Sequence, residues 1–128
     1  FDISINDSGG VLDISGAHDG YEHLKGRPIH RRNWRFENNE LVIIDSIQGQ
    51  YDKAKAHFYL HPDIKLMQKK QNQYVLMILD REIQMELIGV QSSEIQETLW
   101  HSKFGKPLVN CCLVGRFQNN KIITKINW

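Results

Sequence analysis

Apolar and polar residues alternate with a period of two along most of this chain, and that pattern predicts one strand after another. Phe1, Ile3 and Ile5 alternate with Asp2, Ser4 and Asn6, and this edge-like strand ends at Asp7-Ser8-Gly9-Gly10. Val11 to Ala17 follows, with Leu12 and Ile14 on one face and Asp13 and Ser15 on the other. In the run from Ile29 to Phe36, Trp34 and Phe36 share a face. Asn38-Asn39 then predicts a tight hairpin, because asparagine tolerates positive φ. The returning run, Leu41 to Ile47, is apolar on both faces and so predicts a central strand.

The most informative run is Tyr51 to His61. Its even positions, Ala54, Ala56, Phe58 and Leu60, form an apolar face. Its odd positions, Lys53, Lys55, His57, Tyr59 and His61, form a basic and aromatic one. Pro62 ends it, since proline cannot donate to a sheet ladder. Lys65 to Lys70, a turn at Gln71-Asn72-Gln73, Tyr74 to Leu79, and a run in which Ile83, Met85 and Leu87 alternate with Glu82, Gln84 and Glu86 continue the series. Ser92 to Gln96 allows two readings. Ser93 and Gln96 have the spacing of a capping box, which would start one short helix near 93–101; the other reading is a strand leading to Trp100. The loop Lys103 to Pro107 and two closing strands, Val109 to Phe117 and Lys121 to Trp128, complete the chain. About ten strands with closely spaced turns predict a single all-β domain, and an antiparallel β-sandwich is the architecture that gives each alternating strand a dry side.

Composition narrows the function. Sixteen basic residues stand against fifteen acidic ones, a net charge of +1, which gives no electrostatic footprint for nucleic acid. No apolar run is long enough to span a bilayer as a helix. The chain opens at Phe1 with no initiator Met and no signal-peptide pattern, as expected for a piece of a longer protein. The two cysteines, Cys111 and Cys112, are adjacent; strand neighbours point to opposite faces, so they read as two small apolar residues rather than a disulfide.

Five of the six histidines fall between His18 and Asp63. His57 and His61 have the spacing of a zinc-protease helix, but the sequence is HFYLH, with Phe58 where the general base would stand. On a strand the two lie roughly 13 Å apart, too far to share one ion. No metal ligand set and no catalytic constellation is therefore expected within this chain, and Ser-His-Asp, Cys-His and phosphate-cradling patterns are missing from it. The odd face of the Tyr51–His61 run is the better candidate. Rings stack on sugar faces while cations meet carboxylates or sulfates, so Lys53, Lys55, His57, Tyr59 and His61 suit an acidic polysaccharide. The bland reading of the same residues is a solvated outer sheet face.

The ordered motifs His18-Asp19-Gly20-Tyr21, Ile29-His30-Arg31-Arg32, Ile43-Ile44-Asp45, Leu60-His61-Pro62-Asp63 and Trp100-His101-Ser102-Lys103-Phe104-Gly105-Lys106 resemble the C-terminal part of the heparinase II/III-like family. The resemblance covers nearly the whole chain. It implies a polysaccharide lyase in which an N-terminal helical toroid precedes the sandwich. The implied reaction is β-elimination on uronic-acid-containing chains, with carboxylate neutralisation, proton abstraction at C5 and protonation of the leaving oxygen. It also implies a periplasmic or cell-envelope location for the parent. The family's catalytic Asn and Tyr lie in the toroid. Its histidine and structural zinc site come from G-H-x-H-A-D and H-N-T motifs, neither of which occurs in this chain. The expectation is a sandwich domain that is inactive alone, without a cofactor of its own, partnered by the helical domain and by acidic polysaccharide. A carbohydrate-binding module and a purely structural interaction domain are the alternatives.

Overall fold

The computed structural model describes residues 2–21, 23–101 and 105–128, and among them every regular element is a strand. The strands are β1 (Ser4–Ser8), β2 (Val11–His18), β3 (Ile29–Glu37), β4 (Glu40–Gln48), β5 (Lys55–Tyr59) and β6 (Lys65–Lys70). They continue as β7 (Gln73–Ile78), β8 (Arg81–Ile88), β9 (Val90–Trp100), β10 (Leu108–Phe117) and β11 (Lys121–Asn127). Eight form one antiparallel sheet in the order β1-β2-β3-β4-β11-β8-β7-β6, and three form a second in the order β5-β10-β9. The two-layer all-β architecture expected from the alternation is present.

The turns follow the asparagines. Asn38 and Asn39 both take positive φ between β3 and β4, and Asn72 does so between β6 and β7. As its two apolar faces require, β4 lies inside the large sheet, between β3 and β11. The alternative helix near 93–101 is not formed: residues 93–100 belong to β9, paired with β10 from Leu108 to Phe117. Ser93 uses its hydroxyl in another way. It donates to the Asn72 side-chain oxygen at 2.6 Å and meets the buried Tyr74 hydroxyl at 2.6 Å, tying the small sheet to the large one. The predicted Tyr51–His61 strand is also shorter than its pattern. Regular pairing is confined to Lys55–Tyr59, although Ala54 still accepts from the Phe117 amide and the Leu60 amide still donates to Cys111.

The chain changes sheets at Gly89. β8 ends at Ile88 in the large sheet and β9 starts at Val90 in the small one, so the whole crossing is made by one residue. Gly89 has φ +84°, and a Cβ there would stand 2.7 Å from the Lys121 carbonyl oxygen. Only glycine fits both conditions.

The core lies between the small sheet and the β6-β7-β8-β11 half of the large one. Ala56, Leu66, Tyr74, Leu76, Met85, Leu87, Val90, Leu113 and Ile122 are buried together there, with Phe58 and Phe117 packed against them. The other half of the large sheet is different. On β1 to β3 the inward-facing positions are not covered by the small sheet, so Ile3 and Ile5 remain 75% and 68% exposed. Of the cysteines, which are both free, Cys112 is fully buried beneath neighbouring side chains and Cys111 packs partly into the core. Burial pushes the Cys112 thiol above its ordinary pKa.

Candidate functional site

Register decides which side chains share a surface. Lys55, His57 and Tyr59 project from β5 on the face turned away from the large sheet, while Ala56 is buried beneath. Their partners on β10 are Arg116, Val114 and Cys112, and beyond these on β9 are Ser92, Glu94 and Gln96. Directly paired residues point to the same side, so the outer face of the small sheet carries Lys55 beside Arg116, His57 in line with Glu94, and Tyr59 in line with Gln96. The rings of His57 and Tyr59 are nearly parallel, 13° apart with centroids at 6.0 Å. Tyr59 is 67% exposed, which leaves its ring open to a ligand.

The other expected residues are placed differently. Lys53 lies before β5 and lines a cavity rather than belonging to the sheet. His61 lies after it, edge-on to Trp100 with centroids 4.8 Å apart, and its Nδ1 accepts from the Asp63 amide at 3.2 Å. The five therefore form one exposed strip whose ends differ from its middle. Sequence reasoning missed Arg116, Gln96 and Trp100, because pairing in β10 and β9 brings them to the face from sequence positions far from β5. Alternation along those two strands could have placed them outward, but not beside Tyr59.

Beneath the Lys53 end is a cavity of about 380 Å³, bounded by β3 and β4 on one side and the β5 edge on the other. Its floor is an ion cluster. Asp45 on β4 is fully buried; Arg32 donates to it from Nε at 2.6 Å and from an Nη at 3.0 Å, and His30 Nε2 meets it at 2.7 Å. Register places Arg32 directly opposite Asp45, with His30 two residues away on the same face. The Arg32 guanidinium also lies 5.8 Å from the Trp34 ring and 5.6 Å from the Phe58 ring, between a large-sheet aromatic and a small-sheet one. Burial alone would raise the Asp45 pKa; hydrogen bonds from His30 and Arg32 and their positive charge outweigh it, and the carboxyl is held below its ordinary value. Asp45 is thus a charge committed inside the protein.

This cluster and the turn after β5 account for three segments that look like sequence motifs. Ile29–Arg32 and Ile43–Asp45 supply it, and Leu60–Asp63 closes the adjoining strand end with the His61–Asp63 turn. His18 pairs with His30 across β2 and β3, and its Nδ1 accepts the Gly20 amide at 3.3 Å. Ser102, Lys103 and Phe104 of the Trp100–Lys106 motif, like Phe1 in the first expected strand, lie outside the described residues. Among the described residues no group of three or more His, Cys, Asp or Glu side chains is placed to hold a metal ion. Among the described residues there is no helix long and apolar enough to cross a membrane.

Comparison with known proteins gives a consistent answer. The profile of the heparinase II/III-like C-terminal family matches residues 2–128. Among solved structures, a heparinase III gene product superposes with a TM-score of 0.79 at 16% identity, covering 97% of this chain and 20% of that one. Its lysine-methylated form gives 0.74 at 17%, covering 94% and 20%. A mutant of the heparan sulfate lyase HepC from Pedobacter heparinus gives 0.68 at 15%, covering 98% and 21%. At these identities the likeness is one of fold, and this chain spans about a fifth of the length of each. No curated protein matches it.

Proposed function

Since this chain belongs to the heparinase II/III-like family as a C-terminal domain, we propose that it forms one wall of an acidic-glycan cleft in a longer polysaccharide lyase. The parent reaction is β-elimination on a uronic-acid-containing chain, with the catalytic groups outside these residues. The observation that carries the reading is the outer face of the small sheet. It aligns Lys55 with Arg116 in one cross-strand row and sets the His57 and Tyr59 rings nearly parallel beside it. Cations and an open ring side by side provide charge-assisted bonds for carboxylate or sulfate and a stacking surface for a pyranose. The domain is scaffold and contact surface, and it does no bond chemistry alone.

The experiment is kinetic. In the full-length protein, Lys55→Ala, Tyr59→Ala and Arg116→Ala together raise KM for an acidic polysaccharide about tenfold with little change in kcat, the signature of lost ground-state binding. Unchanged KM and kcat would leave the domain a structural one.

A structural role has one specific observation in its favour. Ile3, Ile5, Phe36 and Trp128 are 75%, 68%, 37% and 53% exposed, apolar surface that the small sheet leaves uncovered and that is fit to pack against the helical domain expected to precede it. The two roles involve different residues and are compatible.

A further inference from the structure

We propose that the cavity between β3, β4 and the β5 edge is a binding site for a compact organic oxyanion, a carboxylate or sulfate carried on a ring the size of one sugar. The inference is separable from the outer-face reading, because it depends on His30, Arg32 and Lys53, which are not on the paired outer face of β5; Lys55 borders both surfaces.

Charge comes first. Arg32, Lys53 and Lys55 line the cavity, and among its described lining residues the one carboxylate is Asp45. Asp45 is already engaged by Arg32 and His30, so the cations left facing the space are in excess. Lys53 and Lys55 make no ion pair among the described residues. Donors are available as well. A guanidinium has five N–H groups, and Arg32 commits two of them to Asp45, with no further hydrogen bond among the described residues. Arg32 and His30 are 27% and 30% exposed, so both are held rigidly by Asp45 yet open on the cavity side. A cation fixed in advance by a buried carboxylate loses little freedom when an anion arrives.

Shape supplies the rest. Tyr21, Leu24, Pro28 and Tyr51 give the cavity an apolar and aromatic rim, with Tyr51 fixed by donating its hydroxyl to the Asn119 carbonyl at 2.5 Å. A volume of about 380 Å³ is near the small end of ligand sites, which run from roughly 300 to 1,000 Å³. It fits one ring with its acid group and not a run of sugars. Basic floor, rigid donors and apolar rim together describe a subsite for an anionic ring.

The test is a titration of the isotopically labelled chain with sodium glucuronate, glucose 6-sulfate and glucose at constant ionic strength, read by backbone amide shifts. Glucuronate or the sulfate shifts amides of His30, Arg32, Ile47 and Lys53 saturably, and glucose does not; the acid that binds more tightly identifies the head group. Lys53→Ala, at an exposed and unpaired residue, weakens that binding about three- to tenfold, and Lys53→Arg restores it. Tyr59→Ala, which strips the outer face, leaves it unchanged, so failure of this site and failure of the outer face give different results. Equal shifts with glucose, shifts confined to β9 and Tyr59, or unaltered affinity in Lys53→Ala would overturn the assignment.

Discussion

Replacing Asp45 with Ala removes the acceptor of three short hydrogen bonds, two from Arg32 at 2.6 and 3.0 Å and one from His30 at 2.7 Å. Hydrogen bonds to a charged group contribute about 1.5–3 kcal/mol each when buried. Their sum overstates the loss, because Arg32 and His30 keep 27% and 30% of their side-chain exposure and water can reach both in the variant. Breaking a buried ion pair from one side costs about 3–5 kcal/mol, and partial exposure of the cation favours the lower end. A loss near 3 kcal/mol is a large share of the roughly 5–15 kcal/mol that holds a domain folded. Urea unfolding followed by tryptophan fluorescence measures it, with Trp34 two residues from Arg32 as a local reporter. The midpoint should fall with the slope unchanged. Arg32→Met combined with Asp45→Leu, which leaves neither charge stranded, should recover most of the loss. A cost below about 1 kcal/mol for Asp45→Ala, or a double variant less stable than Asp45→Ala alone, would refute the picture of a buried, mutually dependent cluster.

Three further outcomes follow from the same geometry. Because the folded-state pKa of Asp45 is lowered from 3.8, its stabilising effect is fully present above that value and is lost as pH falls through the folded pKa. The stability gap between the native chain and Asp45→Asn should therefore narrow in acid-unfolding curves taken below about pH 4, and a constant gap would contradict the shift. Gly89→Ala places a Cβ 2.7 Å from the Lys121 carbonyl at φ +84° and should cost about 1–3 kcal/mol in the same urea assay; an unchanged midpoint would mean that the sheet crossing relaxes freely. Tyr74→Phe removes the hydroxyl that meets Ser93 at 2.6 Å between the sheets and should cost about 0.5–1.5 kcal/mol, visible as a lowered urea midpoint.

Local chemistry made most of the fold legible and left the site only partly so. Period-two alternation identifies β2, β3, β8 and β11 because each has one dry face, and the asparagine pairs at 38–39 and 119–120 punctuate them. The helix alternative at Ser93 arose because a capping box and a strand serine look alike until a cross-sheet partner such as Tyr74 is known. The closing strands look like a simple hairpin, yet β10 joins the small sheet and β11 the large one, and nothing local separates those outcomes. The exposed strip from Lys53 to His61 was readable from alternation alone. Arg32 and Asp45 were visible only as motif members, since their meeting depends on the β3–β4 register, and Arg116 reaches Lys55 only through pairing across 61 residues of sequence.

The outer face of the small sheet is proposed to hold acidic polysaccharide. The most direct measurement is an amide-shift map of the labelled chain titrated with a uronic-acid-containing polysaccharide at low and at raised salt. Perturbations should cluster on Lys55, His57, Tyr59, Gln96 and Arg116 and weaken as salt screens the cations. No perturbation up to millimolar ligand, or perturbation confined to the uncovered β1–β3 end, would contradict it.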